Sequence, residues 1–165
     1  MTDVSLTILP ETKRDASAIA RLHERTFGPG RHAKTAYRLR EQVPHKVDLS
    51  FTARIGTLLV GSVRLSPIRI GDSKALLLGP LTVEPPFRER GVGQALIKHA
   101  LAEAKAQGHR LILLVGDESY YSKSGFKRIP PGRVVMPGPV DPARLLIAEL
   151  AEGAFNGVAG SVRTD

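Results

Sequence analysis

Residues 78–96 read LGPLTVEPPFRERGVGQAL and decide the fold. An apolar run ends at two prolines, and a basic turn with two glycines leads directly into an amphipathic pattern, which predicts a strand, a tight turn and a helix. Gly91 and Gly93 carry no Cβ, so their backbone N–H groups can come close to a ligand. The helix start adds unpaired N–H groups and the positive end of the dipole, and Arg88 and Arg90 add charge. The stretch therefore predicts a phosphate or pyrophosphate site.

Other phosphate-binding motifs share this order of elements. The dinucleotide fingerprint G-x-G-x-x-G places its third glycine where Leu96 stands. The triphosphate loop needs Gly-Lys followed by Ser or Thr, which the sequence lacks. The residues present are Arg88-x-x-Gly91-x-Gly93. On this pattern alone, a glycine turn that merely tightens a strand–helix connection remains an alternative.

A second block of sequence, residues 110–126, helps to choose between these interpretations of the glycine turn. Residues 110–117, RLILLVGD, contain a short apolar run, and residues 120–126, YYSKSGF, follow it. In this order and at this separation, the two blocks resemble the GCN5-related N-acetyltransferase (GNAT) superfamily. Its acetyl-CoA pyrophosphate motif is Gln/Arg-x-x-Gly-x-Gly/Ala, and its later motif is Tyr-x-x-x-Gly-Phe. Tyr121 is the tyrosine at that spacing. The segment before it is similar to that of a bacterial subgroup of N-acetyltransferases.

The resemblance, strongest over residues 78–126, implies the fold class. We expect an α/β (α+β) fold, the GNAT fold, with a mixed, mostly antiparallel twisted sheet of about six to seven strands, one central parallel pair and about four flanking helices. Residues 1–165 are expected to form a single N-acetyltransferase domain, and this length fits one domain. Periodicity predicts helices over residues 12–27, 33–43 and 92–107. Residues 145–150 fit a helix or a strand, and the resemblance favours a closing strand.

The resemblance also implies the donor, acetyl-CoA (coenzyme A). Its pantetheine arm is expected between the strand ending at Val83 and the parallel strand ending at Val115. These strands splay apart in this superfamily and leave backbone groups that bond the arm. The residues expected to bind the cofactor are Leu81, Thr82, Val83, Arg88, Glu89, Arg90, Gly91, Val92, Gly93, Gln94, Asp117 and Tyr121.

The reaction implied is direct attack of a neutral primary amine on the thioester by an N-acetyltransferase. The resemblance places Tyr121 beside the sulfur, where it is expected to be the general acid for the thiolate; a core tyrosine is the alternative. Glu84 is expected to be the general base, with Asp117 or a water left open. A solvated strand end or a helix N-cap would explain these carboxylates equally well. Tyr120 is expected to be structural or to line the substrate site.

Composition limits the other classes. Without cysteine the chain has no disulfide and no thiolate metal site, and its five histidines show no metal-binding spacing. The net charge of +8 is scattered and only 5% of the residues are aromatic, which argues against nucleic-acid binding. No run approaches the roughly 20 apolar residues of a membrane span, and no signal-peptide pattern opens the chain. We therefore expect a cytoplasmic protein that binds neither nucleic acid nor membrane.

The acceptor substrate is the part of the expected function that the sequence determines least. Substrate specificity in this superfamily is usually set by the first helical region, here residues 26–40. Arg31 and Arg38 in that segment are expected to clamp an anionic group, against the alternative that both are solvated. A small-molecule amine that also carries an anionic group is therefore expected, with a protein acceptor and a homodimer left open. A non-catalytic acyl-CoA-binding sensor module is the alternative function.

Overall fold

The computed structural model describes residues 5–27 and 45–165. The strands of these residues are β1 (Leu6–Pro10), β2 (Phe51–Ile55), β3 (Leu58–Ile70), β4 (Ser73–Val83), β5 (Leu111–Val115), β6 (Lys127–Arg128), β7 (Val134–Val135), β8 (Leu145–Glu149) and β9 (Gly160–Thr164). Their helices are α1 (Ala16–Phe27), α2 (Val92–Ala106) and α3 (Glu118–Tyr121).

Seven strands form a continuous sheet in the order β1-β2-β3-β4-β5-β8-β6. Neighbours are antiparallel except β4 and β5, which are parallel. The long strand β3 pairs with β2 over its first half and with β9 near its end. β9 also holds the two-residue β7 in a parallel pair. The mixed, mostly antiparallel sheet with a central parallel pair is confirmed, and β7 and β9 are the strands beyond the six to seven expected.

Helices cover both faces of the sheet. The apolar positions of α2 recur at helical spacing, and Leu96, Ile97 and Ala100 are fully buried against β2, β3 and β4. α1 packs on the other face of β3 and β4, and its Ile19 and Leu22 are equally buried. Burying one such aliphatic side chain contributes roughly 1.5–3 kcal/mol. These two layers fix the strands that carry the site.

Strand β4 changes direction at a β-bulge. The register shifts so that Gly79 and Pro80 together face a single residue of β3, Arg64. Gly79 has a φ of 134°, in a region that favours glycine, and its peptide bond to Pro80 is cis. A bulge bends the strand and turns the side chains beyond it. The last residues of β4 are therefore set apart from the rest of the strand.

The parallel pair of β4 and β5 separates soon after it forms. Leu76 pairs with Ile112 and Leu77 with Leu113, and the pairing of the two strands ends there. β4 continues through residues 78–83 with no strand on that edge in the described part of the chain. The expected splay is present, and it opens a cleft at the C-terminal ends of both strands.

Most local expectations are confirmed. Of residues 145–150, Leu145–Glu149 form the strand β8, and the first helix begins after a turn in which the Thr12 N–H donates to Asp15 Oδ2 at 2.8 Å. The sequence analysis missed β9. The helix expected over residues 33–43 lies outside the described residues, and those residues contain three helices of the four expected. Within residues 5–27 and 45–165, no helix is both long and apolar enough to cross a lipid bilayer.

Candidate active site

The turn between β4 and α2 presents backbone N–H groups. Two of its residues, Glu89 with φ 67° and Gly91 with φ 80°, have left-handed backbone conformations. Gly91 is the N-cap of α2 and supplies no capping side chain, and the first helical bond runs from the Ala95 N–H to the Gly91 carbonyl. The N–H groups of Val92, Gly93 and Gln94 precede that bond and have no intrahelical acceptor. Together with the positive end of the helix dipole, they form an anion site.

The charged side chains of this turn are exposed, and two of them are anchored. Arg88 Nε donates to the Val83 carbonyl at 3.4 Å. The guanidinium of Arg90 lies over the Phe87 ring, 5.6 Å from its centroid, in a cation–π contact. These contacts hold two positive charges beside the helix start, where Glu89 contributes one charge of opposite sign. The local balance favours an anionic ligand.

The cleft beside β4 is lined by backbone rather than by reactive side chains. Leu81 and Val83 pack toward α2, so Thr82 between them points to the face covered by α1. Thr82 is buried, and its hydroxyl is hydrogen-bonded to Ser62 Oγ at 3.1 Å. The edge of β4 facing β5 therefore offers N–H and C=O groups that need a partner. A peptide-like ligand lying in the cleft would supply one.

Tyr121 lies at the β5 side of the cleft. A Cβ at Gly116, which follows β5, would come within 2.4 Å of Tyr121 Cε2, so only glycine leaves room for this ring. The ring also contacts Phe126 edge to face, with centroids 5.9 Å apart. Tyr121 is half-buried. Gly116 and the phenylalanine of the second motif, Phe126, therefore hold this tyrosine in place.

Tyr120 reaches the opposite side, toward α2. A Cβ built on Gly93 would lie 2.1 Å from the Tyr120 hydroxyl oxygen. Burial raises the pKa of Tyr120, so its hydroxyl keeps its proton at neutral pH. Gln94 Nε2 donates to the Tyr120 carbonyl at 3.1 Å, and Ser124 Oγ donates to Gln94 Oε1 at 3.0 Å. Gly93 thus makes room for the Tyr120 side chain, a role that its sequence motif does not reveal.

The two candidate bases differ in their surroundings. The Glu84 N–H donates to the Val60 carbonyl at 2.8 Å, and the Glu84 carboxylate forms an ion pair with Arg25 of α1. Asp117 is exposed and makes no side-chain cap, although its carbonyl accepts hydrogen bonds from the N–H groups of both tyrosines. Of the two carboxylates, Glu84 is the one oriented by a partner, because Arg25 of α1 holds it in an ion pair.

A cavity of about 410 Å³ adjoins the helix start, and of its five lining residues the sequence analysis expected only Gln94 in the site. Lys98 and Leu101 follow Gln94 at steps of four and three residues on one face of α2. The turn after α3 closes the cavity with Lys123 and Ser124. Two lysines beside an anion site form a second place for negative charge. The helical spacing from Gln94 was the signal that could have identified Lys98.

A buried ion-pair cluster lies behind the bulge. Arg64 Nε donates to both carboxylate oxygens of Glu11, at 3.2 and 3.1 Å, and Arg64 Nη2 donates to Oε1 at 2.7 Å. Burial acts to raise the pKa of Glu11, but hydrogen bonds from His45 and Arg64 and the charge of the guanidinium outweigh it and lower the pKa to about 2. This lowered pKa stabilises the fold above the ordinary value of 4.5, and the stabilisation is lost as the pH falls toward 2.

The acceptor clamp expected from the sequence cannot be compared with the structure. Arg31 and Arg38 lie outside the described residues. Among residues 5–27 and 45–165, no group of three or more histidine, aspartate or glutamate side chains is arranged to hold a metal ion.

Known proteins share this fold. The model of the acetyltransferase (GNAT) family matches residues 16–126, so the chain belongs to that family. An uncharacterized N-acetyltransferase of Escherichia coli K12, YhbS, is 28% identical over 150 residues, which are 90% of this chain and 89% of the relative. Another from the same strain, YjhQ, is 29% identical over 119 residues, 70% of this chain and 66% of the relative.

Solved structures are similar over almost the whole chain. The crystal structure of YhbS from Escherichia coli in complex with CoA has a TM-score of 0.84 at 24% identity, covering 100% of this chain and 92% of that one. A GNAT family acetyltransferase from Brucella melitensis in complex with acetyl-CoA has a TM-score of 0.61 at 24% identity, covering 93% of this chain and 100% of that one. At this identity the likeness establishes the fold.

Proposed function

We propose that this protein is an acetyl-CoA-dependent N-acetyltransferase that acts on a primary amine. The observation that carries the proposal is the cleft between β4 and β5, which opens beside the uncapped start of α2. The start of α2 offers backbone N–H groups to phosphate, Tyr121 packs against Gly116 just after β5, and Glu84 directly follows β4. Family membership and the CoA and acetyl-CoA held by the two structural relatives support the same donor.

Three parts of the chain would each bind a different part of acetyl-CoA. Residues 88–94 bind the pyrophosphate through backbone N–H groups and the two arginines. The unpaired edge of β4 bonds the pantetheine arm over Leu81, Thr82 and Val83 as a neighbouring strand would. Lys98 and Lys123, in the cavity beside α2, supply positive charge for the nucleotide phosphate. When bound, acetyl-CoA supplies an acetyl thioester, which reacts with an amine more readily than an ordinary ester or amide does.

The amine nitrogen attacks the thioester carbonyl carbon, a C–N bond forms and the C–S bond breaks. Backbone N–H groups at the end of β4 stabilise the negative charge that develops on the carbonyl oxygen. The nitrogen gives its proton to the Glu84 carboxylate, directly or through a water. The Tyr121 hydroxyl donates a proton to the departing sulfur, since a tyrosine ordinarily keeps its proton at neutral pH. Atoms and charge then balance as an amide and a free thiol.

Glu84 is better placed than Asp117 to act as the base. It directly follows Val83, the last residue of the strand that would carry the arm, and its backbone is fixed to β3. Its side chain is 20% exposed, so a substrate can reach it. Asp117 belongs to the turn on which Tyr121 is built, and it has no partner that aims its carboxylate at the cleft.

The test is a screen of primary amines with acetyl-CoA, read out as free CoA. Turnover with at least one class of amine is expected, and Glu84→Gln should lower kcat on the amine identified while leaving acetyl-CoA affinity unchanged. Glu103→Gln, a half-buried residue near the C-terminal end of α2, is the matched control and should behave as the wild type. Calorimetric binding of acetyl-CoA without turnover on any amine would instead indicate a binding module.

A further inference from the structure

The ion pair between Arg25 and Glu84 joins two parts of the molecule that the sequence keeps far apart. Arg25 lies in the last turn of α1, and Glu84 follows β4. Arg25 Nη2 donates to Glu84 Oε1, and the two side chains are 52% and 20% exposed. The pair therefore lies at the surface and remains open to a ligand.

Each member of the pair has hydrogen-bonding capacity left. A guanidinium has five N–H donors in a planar fork, and Arg25 uses one of its nitrogens for Glu84. Within residues 5–27 and 45–165, neither the other nitrogens of Arg25 nor Glu84 Oε2 has a side-chain or backbone partner. The pair thus offers one unfilled donor group and one unfilled acceptor group, side by side.

The location of the pair is at the reacting end of the cleft. Glu84 is adjacent to Val83, and Thr82 and Glu84 point to the face of the sheet that α1 covers. Arg88 adds a second guanidinium nearby through its bond to the Val83 carbonyl. A nucleophile approaching the thioester from the α1 side would meet one carboxylate and two arginines.

Given the proposed acetyltransferase function, we propose that Arg25 and Glu84 together bind an acceptor whose primary amine stands next to a carboxylate, an α-amino acid. The amino group faces Glu84 and the carboxylate faces Arg25. In an α-amino acid the two charges are as close together as the two in this ion pair. Aligned antiparallel to the pair, the zwitterion fills both unfilled positions, and arginine binds a carboxylate in a two-pronged geometry.

The positive charge of Arg25 disfavours amines that carry no carboxylate. A simple amine, a lysine side chain or a polyamine brings a positive charge to Glu84 but nothing for Arg25, which repels it. The ammonium of the amino acid first loses one proton to solvent. The neutral nitrogen then attacks the thioester carbonyl and gives its second proton to Glu84, Tyr121 protonates the departing sulfur, and Arg25 keeps the carboxylate in place.

The experiment compares each of the common amino acids with the amine obtained by removing its carboxylate, using acetyl-CoA and free-CoA readout. For the side chain that the enzyme prefers, kcat/KM is expected to be roughly 10- to 100-fold higher for the amino acid, the range of a charge-assisted hydrogen bond. Arg25→Ala should reduce this preference by raising KM for the amino acid more than KM for the amine. Arg25→Lys keeps the charge without the fork and should restore only part of it.

Arg21→Ala is the matched control. Arg21 is exposed and lies one turn earlier on the same helix, so its substitution removes the same charge. Equal effects of Arg21→Ala and Arg25→Ala would overturn the inference, and so would equal kcat/KM for the amino acids and their amines. Either result leaves the acetyltransferase function intact if turnover is observed. Lack of turnover with every acceptor overturns the proposed function itself.

Discussion

The two halves of β4 belong to one strand but have different surroundings. Residues 73–78 pair with β3 on one edge, reach β5 on the other, and bury Leu76 and Leu77 on opposite faces. Residues 79–83, beyond the bulge, keep β3 as a partner and have no strand on the side of β5. The inner half stabilises the fold, and the outer half supplies the binding edge.

The difference shows how a strand can be stable and still have free backbone groups. The apolar side chains of the inner half hold β4 in the sheet, so the outer half can leave N–H and C=O groups for a ligand. The Glu11–Arg64 pair supports the outer half from β3, because Arg64 is the residue opposite the bulge.

The largest expected effect lies in the turn beyond the outer half. Gly91→Val should abolish acetyl-CoA binding in calorimetry, because a branched side chain at φ 80° disturbs the turn and fills the approach of the phosphate. Gly108→Val is the matched control: Gly108 follows α2 with φ 88°, and a Cβ there, as at Gly91, meets open space. Equal affinities of the two folded variants would contradict the pyrophosphate assignment.

Gly93→Val is also expected to weaken binding, but for two combined reasons. The added side chain occupies the helix start and collides with the Tyr120 hydroxyl. Gly91→Val is therefore the cleaner test.

The next effect concerns the two tyrosines at the mouth of the cleft. Tyr121→Phe should lower kcat by about 10²–10⁴-fold with nearly unchanged acetyl-CoA affinity, because the lost proton matters only as the sulfur departs. Tyr120→Phe keeps the ring against α2 and should be much milder. Steady-state kinetics of both variants decide, and greater sensitivity at Tyr120 would transfer the acid role to the hydroxyl beside Gly93.

A substitution in the inner half should affect stability instead. Leu77 is fully buried, and Leu77→Ala should lower the free energy of unfolding by about 2–5 kcal/mol in urea titrations. At temperatures where the variant is folded, kcat and KM should stay close to the wild type. A large loss of kcat in the folded variant would show that the two halves of β4 are coupled more tightly than their pairing indicates.

The smallest expected effect is at the cavity beside α2. Lys98→Ala and Lys123→Ala should each raise KM for acetyl-CoA by roughly tenfold, the loss of one charge-assisted contact. KM for the analogue without the 3′-phosphate should change much less. Lys105→Ala, at the exposed end of α2, is the control for charge alone. Identical effects on donors with and without that phosphate would place the nucleotide elsewhere.

Local features of the site were predictable because they depend on neighbours in the sequence. The strand, glycine turn and helix around Gly91 follow from periodicity, prolines and glycines within residues 78–96. The capping pair of Thr12 and Asp15 and the end of α2 at Gly108 follow from similar short-range rules. The strand β9 was not predicted because the alternating pattern of its five residues is too short, and the strand depends on β3 for pairing.

The sequence by itself determined the family, the phosphate-binding turn, the position of Tyr121 in its motif and the class of donor, since each is written in residues close along the chain. Only the tertiary structure decided that β4 and β5 part after two residue pairs, that Arg25 reaches Glu84, and that the Tyr120 hydroxyl fills the space beside Gly93. Those contacts join residues from about thirty to sixty positions apart, and their geometry follows from how helices pack on the sheet, which no short stretch specifies.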